Sequence, residues 1–350
     1  MFPDDTPSAA PVTATVSDLA LRLMAVDSTS GREQGVIDEA DAILRGRGWK
    51  TQRISVTADG RQCLLGLSGD DIDVTLSTHL DTVPPFIPPR LERGVLWGRG
   101  ACDAKGIAAS MIVAGDRLRD RGIATALLFV IGEETCHDGA HAANTWFAEH
   151  FPQRRRVLIN GEPTESTLGL GTKGAQRVTV RTTGKAAHSA YPAMGHSATL
   201  GLVRLLAELD RMDWPADDVL GETTVNIGAI SGGIADNVFA PSAEARLMFR
   251  LVTPAKEIQD RIESWAEGRA ELQWGAMVPA IRLPAVEGIP TSVLAFATDI
   301  PALTNWGTPY LFGPGSVHVA HTSAEHVNVE ELARAVASYE HIATSALGAR

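Results

Sequence analysis

Several features that mark particular protein classes are scarce or missing in this chain of 350 residues. Its three cysteines, Cys63, Cys102 and Cys136, have no paired spacing, which argues against a disulfide framework and indicates reduced thiols. No stretch approaches the ~18 consecutive apolar residues of a membrane span. The 31 basic residues are outnumbered by 42 acidic ones, and the formal charge of −11 argues against a nucleic-acid or anionic-membrane partner.

The amino-terminal stretch lacks the parts of a secretory signal. Residues 1–15 are rich in Pro, Ala, Thr and Asp, and they contain neither a basic segment nor an apolar core. We expect these residues to form a flexible tail. Together with the sparse, unpaired cysteines, the missing signal predicts a cytoplasmic protein.

The length and the apolar content of 44% are sufficient for two domains. In the first half of the chain, apolar strands alternate with helices, which is typical of an α/β domain with a mostly parallel sheet. The pattern then changes, because residues 177–182 and 244–252 alternate as half-exposed strands do. We therefore predict a small α+β domain over residues 174–278, inserted into a catalytic domain formed by residues 16–173 and 279–350.

Two helix starts are predicted from capping residues. Ser17 precedes an apolar-rich segment and is expected to cap the first helix. Asp103 precedes a segment of small and apolar residues, Gly106–Leu118, and its simplest interpretation is the N-cap of that helix. A capping carboxylate is held in a fixed geometry, so this interpretation is compatible with a function in a site.

Two adjacent glutamates, Glu133 and Glu134, follow an apolar run from Ala126 to Ile131. Where the chain turns at the end of a strand, both side chains can reach the crevice in which open α/β sheets bind ligands. Two neighbouring carboxylates repel each other, so a site that holds both needs positive charge, for which a metal ion is the candidate. The alternative is a solvated turn, the commoner setting of such a pair.

Other polar residues also follow apolar runs. The pair His79 and Asp81 shares one face in extended chain, although a histidine in a turn with a capping aspartate is the simpler interpretation of that pair alone. Mixed nitrogen and oxygen ligands suit a catalytic zinc ion or a related divalent ion. Two ions that share a bridging carboxylate would balance so many acids better than one. The strand-end set contains two imidazoles, five carboxylates and no thiolate: His79, Asp81, Asp103, Glu133, Glu134, Glu162 and His321.

The motifs around these residues resemble those of the co-catalytic zinc aminoacylase and carboxypeptidase family, which includes acetylornithine deacetylase, succinyl-diaminopimelate desuccinylase and glutamate carboxypeptidase. The resemblance covers nearly the whole chain and implies a zinc-exopeptidase-like catalytic domain with an inserted dimerisation or lid domain. Five motifs agree in order and spacing: His79-Leu80-Asp81-Thr82-Val83-Pro84, Gly98-Arg99-Gly100 with Asp103-Ala104-Lys105-Gly106, Glu133-Glu134, Glu162-Pro163, and His321-Thr322 with Glu325.

The resemblance implies two zinc ions, with Co²⁺ or Mn²⁺ as substitutes. His79 and Glu162 would share one ion, Glu134 and His321 would share the other, and Asp103 would bridge them. His318 and His326 flank His321 in the sequence, and the following Thr322 favours His321 as the ligand. His137 and His141 fit no ligand position, and Cys102 and Cys136 are expected to be buried small side chains.

Further functional residues follow from the same resemblance. Glu133 is expected to be the general base, with Asp81 orienting His79. His188 would donate a hydrogen bond to the oxyanion, often from the partner subunit; otherwise it is a surface histidine in a turn. Asn237, Arg250 and Gly315 would contact the substrate, Arg250 and Gly315 through its carboxylate. The alternative for Arg250 is an ordinary exposed strand residue.

The expected function is a zinc-dependent amidohydrolase or metallopeptidase that cleaves an N-acylated amino acid, similar to acetylornithine deacetylase. In the family, Glu at the Glu162 position accompanies deacylases and carboxypeptidases, whereas Phe296-Ala297 departs from the desuccinylase pattern. A dipeptidase, a glutamate-type carboxypeptidase and a desuccinylase-like enzyme are alternatives, and a non-catalytic metal-binding scaffold is a remote one. The expected partners are a small N-acyl amino acid or dipeptide and a second copy of the chain, paired through the inserted domain.

Overall fold

The computed structural model describes residues 9–57, 60–151 and 156–348. The described helices are α1 (Ala9–Met24), α2 (Gln34–Gly46), α3 (Lys105–Asp120), α4 (Asp138–His150), α5 (Ala198–Leu209), α6 (Ala255–Ala266) and α7 (Val329–Gly348). The described strands are β1 (Lys50–Ser55), β2 (Gln62–Leu67), β3 (Val74–His79), β4 (Arg90–Glu92), β5 (Val95–Trp97), β6 (Thr125–Val130), β7 (Val157–Asn160), β8 (Leu168–Thr172), β9 (Gly174–Thr183), β10 (Ala216–Asp217), β11 (Gly221–Glu222), β12 (Thr224–Gly232), β13 (Ser242–Leu251), β14 (Glu271–Val278), β15 (Ile281–Arg282), β16 (Thr291–Leu294), β17 (Thr308–Leu311) and β18 (His326–Asn328). No helix in these ranges has the length and apolarity that crossing a bilayer requires.

The chain forms two compact units. The first comprises Met1–Leu170, Leu283–Ser292 and Thr298–Arg350, and the second comprises Gly171–Arg282 and Val293–Ala297. The second unit is thus an insertion into the first, and it begins a few residues earlier and ends a few residues later than the sequence pattern indicated.

The first unit is built on a six-stranded sheet of order β1-β2-β6-β3-β7-β17. Strand β3 is parallel to β6 and β7, and β17 is parallel to β7, whereas β1 and β2 form an antiparallel edge. Every residue of β3, β6 and β7 is buried, which explains their nearly continuous apolar runs. The predicted α/β class with a mostly parallel sheet is confirmed. As a consequence, the carboxyl ends of the four parallel strands β6, β3, β7 and β17 lie at the same edge of the sheet.

The second unit contains an antiparallel sheet of order β12-β13-β9-β14. Strand β13 alternates strictly between buried and more exposed residues, as expected for a sheet covered on one face. Buried side chains of the sheet pack with those of α5 and α6, among them Val180, Phe249, Leu206 and Ile262. Ser197 caps α5 by accepting a hydrogen bond from the Leu200 N–H at 3.3 Å. The predicted α+β character of the insertion is confirmed.

Two helix starts differ from the prediction. Helix α1 begins at Ala9, so Ser17 lies inside it, and its hydroxyl donates to the Ala14 carbonyl at 2.9 Å instead of capping. Alanine and an early proline, Pro11, favour a start within the expected tail, of which residues 1–8 lie outside the described residues. Helix α3 begins at Lys105, so Asp103 is not its N-cap. Both predictions of capping residues were wrong.

Candidate metal centre

Parallel neighbouring strands of the first unit carry polar residues at their carboxyl ends. His79 is the last residue of β3, Glu133 and Glu134 follow β6, and Glu162 follows β7. Because these strands are adjacent, the four side chains are delivered to the same edge of the sheet. Asp103 joins them from the segment before α3.

A first group of three ligands contains His79, Asp103 and Glu162, all of them buried. The His79 Nε2 lies 3.0 Å from Asp103 Oδ1 and 4.0 Å from Glu162 Oε2. One ligand atom from each residue lies within 4.8 Å of the other two, which is compact enough for all three to contact one ion.

A second group contains Asp103, Glu134 and His321. The His321 Nε2 lies 3.2 Å from Asp103 Oδ2 and 3.0 Å from Glu134 Oε2. Asp103 therefore belongs to both groups and presents a different carboxylate oxygen to each histidine. Two groups joined by one carboxylate are the arrangement expected for a pair of divalent ions with a bridging ligand.

The donor chemistry of the two groups fits metal ions. Each supplies one imidazole and carboxylate oxygens without a thiolate, a set that suits catalytic zinc and related ions. The Glu162 Oε1 is buried and has no hydrogen-bond partner within the described ranges. A buried carboxylate oxygen without a partner is costly unless a cation or a proton compensates it.

The ionisation of these side chains shows the same need for positive charge. Burial raises the pKa of Glu162 well above its usual range, and the negative charge of Glu133 raises it further. Burial likewise raises the pKa of Glu133. Hydrogen bonds that His321 donates to the carboxylates of Asp103 and Glu134 raise its pKa to about 10. Without cations, the cluster therefore retains protons at neutral pH.

Asp81 supports the centre in a way that the sequence did not indicate. The His79 Nδ1 lies 2.9 Å from the backbone carbonyl of Asp81 and 3.6 Å from its Oδ1. The Asp81 carboxylate instead accepts hydrogen bonds from the backbone N–H groups of Glu133 and Glu134, both at 3.2 Å, and from the Ser30 hydroxyl at 2.9 Å. Asp81 thus fixes the turn that carries both glutamates, while its carbonyl orients the imidazole.

A buried ion pair connects two of the motifs. The Arg99 Nη1 lies 2.6 Å from Glu325 Oε2, and the side chains are only 2% and 1% exposed. The other oxygen of Glu325 accepts hydrogen bonds from the N–H groups of Cys102 and Asp103, both at 3.3 Å. The pair therefore ties the backbone of Asp103 to the segment that carries His321. Arg99 and Glu325 have opposite charges and each lies within a motif, which was the only indication of a pair in the sequence. No function was predicted for either residue from the sequence.

Three other predicted site residues lie in the second unit. His188 is exposed, and its Nδ1 accepts a hydrogen bond from the Ala190 N–H at 3.2 Å, which leaves the proton of the neutral ring on Nε2. The neighbouring Ser189 N–H donates to the Asn237 carbonyl at 3.0 Å, so the backbone brings His188 and Asn237 together. Arg250 is half-buried on β13.

The prediction that Gly315 offers its amide to a substrate carboxylate was wrong. Its N–H donates to Glu331 Oε1 at 2.8 Å within the first unit. The φ angle of +87° places this residue in the left-handed region, and a Cβ would lie 2.5 Å from the Cβ of Cys102. Backbone conformation and lack of space therefore account for glycine at this position.

The remaining candidates from the sequence have other partners or surroundings. The His137 Nδ1 lies 2.9 Å from Asp299 Oδ1, and His326 packs against Trp97 with ring centroids 4.5 Å apart and the ring planes tilted by 31°. Cys102 is buried as expected, but Cys136 is exposed, so its prediction as a buried side chain was wrong.

Comparisons with known proteins agree with this site. A sequence profile described as Peptidase family M20/M25/M40 matches residues 75–345, a range that contains both groups of ligands. A peptidase M20 domain-containing protein of Schizosaccharomyces pombe is 36% identical over 331 residues, covering 91% of this chain and 82% of that protein. A probable carboxypeptidase of Aspergillus terreus is 37% identical over 306 residues, covering 78% of this chain and 71% of that protein.

The fold is also shared with solved structures. The crystal structure of a Bacillus subtilis protein described as a dinuclear metal binding peptidase from the M20 family gives a TM-score of 0.73 at 13% identity. The match covers 95% of this chain and 98% of that chain.

Removing the charge of Glu325 tests whether the buried ion pair positions metal ligands. We expect Glu325→Gln to weaken zinc affinity by about tenfold or more, because the single amide oxygen of glutamine cannot accept both from Arg99 and from the backbone N–H of Asp103. Chelator competition measures this affinity, and thermal unfolding of the metal-free protein measures stability. Arg117→Gln, which removes a 3.1 Å ion pair with Glu340, is the control. Equal zinc affinity in the two variants would contradict the prediction.

Metal binding to the metal-free protein should release protons. The pKa of about 10 means that His321 carries a proton near neutral pH, and burial shifts Glu162 towards its protonated form. A ligand atom must lose its proton before it binds an ion. We therefore expect zinc affinity to increase as the pH rises from about 6 to about 8. Calorimetric titrations in two buffers with different ionisation enthalpies count the protons. Identical heats in both buffers would show that none is released.

Proposed function

The chain belongs to the peptidase family M20/M25/M40 and is a metal-dependent hydrolase, and from this premise we propose that it cleaves the amide bond of an N-acylated amino acid. The membership confirms the resemblance drawn from the five sequence motifs. The observation that carries the proposal is the pair of three-ligand groups that share Asp103, with Glu133 next to the ligand Glu134.

We assign the metal ligands from the distances in the two groups. His79 and Glu162 would hold one ion, Glu134 and His321 would hold the other, and Asp103 would contribute one oxygen to each. Zinc is the proposed metal, with Co²⁺ or Mn²⁺ as substitutes. When bound, a pair of such ions supplies a water of lowered pKa and polarises the amide carbonyl.

Glu133 is the proposed general base. It would accept a proton from the attacking water and pass it to the leaving amine. Two observations support this assignment: burial favours the protonated form of its carboxyl group, and Asp81 fixes the backbone on which it lies. A raised pKa makes the carboxylate of Glu133 a stronger base, which suits its proposed function of accepting a proton from water.

The second unit would supply the remaining contacts to the substrate. The resemblance assigns His188 to the oxyanion, and its tautomer supports this because the exposed Nε2 carries the proton. Asn237 is held next to His188 by the backbone, and Arg250 provides a guanidinium that can bind a substrate carboxylate through two hydrogen bonds.

A second candidate function is a carboxypeptidase or dipeptidase acting on a short peptide. The relative from Aspergillus terreus is named a probable carboxypeptidase, and this favours a peptide over a simple acyl group. Both substrate classes contain an amide bond next to a residue with a free carboxylate. A panel of N-acetyl-L-ornithine, N-succinyl-diaminopimelate and simple dipeptides distinguishes them.

We further propose a homodimer that pairs through the second unit. Strand β12 lies at the edge of its sheet and exposes Ile227 and Ile230, which are 37% and 58% accessible. Helix α5 exposes Leu200 and Val203, which are 49% and 56% accessible. An open edge strand with apolar side chains is a surface that pairs readily with a second copy.

Replacement of the proposed base separates catalysis from metal binding. We expect Glu133→Gln to retain two metal ions per chain and to lower kcat by at least ~100-fold, because general-base catalysis contributes on that order. Metal content is measured by mass spectrometry, and turnover is measured on the best substrate of the panel. Glu149→Gln, on the exposed side of α4, is the control. Turnover of Glu133→Gln near the wild-type rate would remove this assignment.

Mixed dimers test whether His188 acts across the dimer. Alone, His188→Ala should lower kcat by roughly 100-fold, as loss of an oxyanion donor does. If His188 serves the partner's site, a mixture of Glu133→Gln and His188→Ala chains should regain activity, since one site in each mixed dimer has both groups. Activity measured after subunit exchange decides this. No recovery in verified mixed dimers would show that His188 does not serve the partner's site.

A further inference from the structure

We propose that the second unit contains a subsite for a second anionic group of the substrate, formed by Arg177 and Arg246 on the open face of its sheet. The inference rests on the proposed function and narrows the substrate class to amides with two acidic groups. One group is the carboxylate assigned to Arg250, and the other lies on the amino-acid side chain or on the acyl group.

Strand register places the three arginines on the same face. Arg246, Met248 and Arg250 alternate with buried residues of β13, so their side chains lie on the face opposite α5 and α6. Arg177 on β9 is directly opposite Met248. It is therefore diagonal to both Arg246 and Arg250, at a spacing that long side chains can bridge.

None of these three arginines has an ion-pair partner among residues 9–57, 60–151 and 156–348. The contrast with Arg181, on the same face of β9, is informative. Its Nε lies 3.2 Å from Glu244 Oε2, and its Nη1 donates to Gln273 Oε1 at 2.7 Å. The face thus contains one neutralised arginine and three with uncompensated charge, in a chain whose formal charge is −11.

Two of the three uncompensated arginines line a concavity of about 690 Å³. Its lining includes Arg177 and Arg246 and the neutral polar side chains Asn226 and Gln273, together with Met248, which is directly opposite Arg177. Guanidinium groups together with amide donors form the kind of surface that binds carboxylates through several hydrogen bonds. A volume of this size accommodates a small molecule.

Electrostatics favours occupation by an anion. Burial lowers the pKa of Arg250, and the positive charge of Arg177 lowers it further, so the two guanidinium groups repel each other. A bound dianion would relieve this repulsion by placing one anionic group at Arg250 and the other at Arg177 and Arg246. A neutral amide substrate would leave Arg177 and Arg246 without a partner. Charge complementarity therefore indicates that the open face of this sheet binds a small acidic substrate.

Two matched pairs of amides test the subsite. N-acetyl-L-glutamate is compared with N-acetyl-L-glutamine, and N-succinyl-L-alanine with N-butanoyl-L-alanine, so that the extra charge lies on either side of the scissile bond. We expect a higher kcat/KM for the acid in at least one pair. We expect Arg177→Gln with Arg246→Gln to reduce this preference by about tenfold or more, the loss typical of a charge-assisted hydrogen bond.

Arg181→Gln is the matched control, because it removes a charge from the same face that Glu244 already neutralises. It should keep the wild-type preference, and the double lysine variant Arg177→Lys with Arg246→Lys should restore part of it. No preference for the acid in either pair, or an unchanged preference in the double glutamine variant, would overturn the subsite while leaving the amidohydrolase assignment intact.

A direct binding measurement separates failure of the subsite from failure of the proposed function. If no amide is turned over, the proposed function fails, and calorimetry with glutarate on the zinc-loaded full-length protein still tests the arginines. We expect glutarate to bind about tenfold more weakly to the double glutamine variant than to Arg181→Gln. Equal affinity in the two variants, or no binding to the wild type, would overturn the subsite.

Discussion

The concentration of negative charge around Asp103 is the constraint on which the rest of this structure depends. Three carboxylates and two imidazoles form two ligand groups at one edge of the sheet, and the groups share a single aspartate. Such a cluster is stable only with cations or protons between the side chains, and it must be held by parts that do not move apart. Fully buried parallel strands meet this requirement, because their ends are fixed by the core of the first unit.

The residues at strand ends could be predicted from the sequence because the relevant information is local. The apolar runs before His79, Glu133 and Glu162 identify buried strands, and parallel strands present their carboxyl ends together. His321 has no such signal, since it lies in a loop with a φ of +64°. It was identified only because the order and spacing of the five motifs resemble those of a known family. The apolar periodicity of the sequence gives no information about a ligand in a loop.

The errors and omissions arose where a partner lies far away in the chain. Arg99 and Glu325 are separated by 226 positions, and no local pattern shows that they form one buried pair. The amide of Gly315 looked available because its acceptor, Glu331, belongs to the following helix. The resemblance assigned Asp81 only to orienting His79, and no local pattern shows that its carboxylate also accepts from the backbone N–H groups of Glu133 and Glu134, about fifty positions away. Tertiary hydrogen bonds decide all three cases.

The two units differ in the sign of the charge that each leaves uncompensated. The first gathers carboxylates that need cations, and this requirement is the same for any amide substrate. The second exposes Arg177 and Arg246, whose charges have no partner in its described residues and whose positions on β9 and β13 are set by strand register. Arginines on an open sheet face are not needed for folding, because surface charges contribute little to stability. We propose that a ligand accounts for their presence, which would assign substrate choice to the insertion and bond cleavage to the sheet edge.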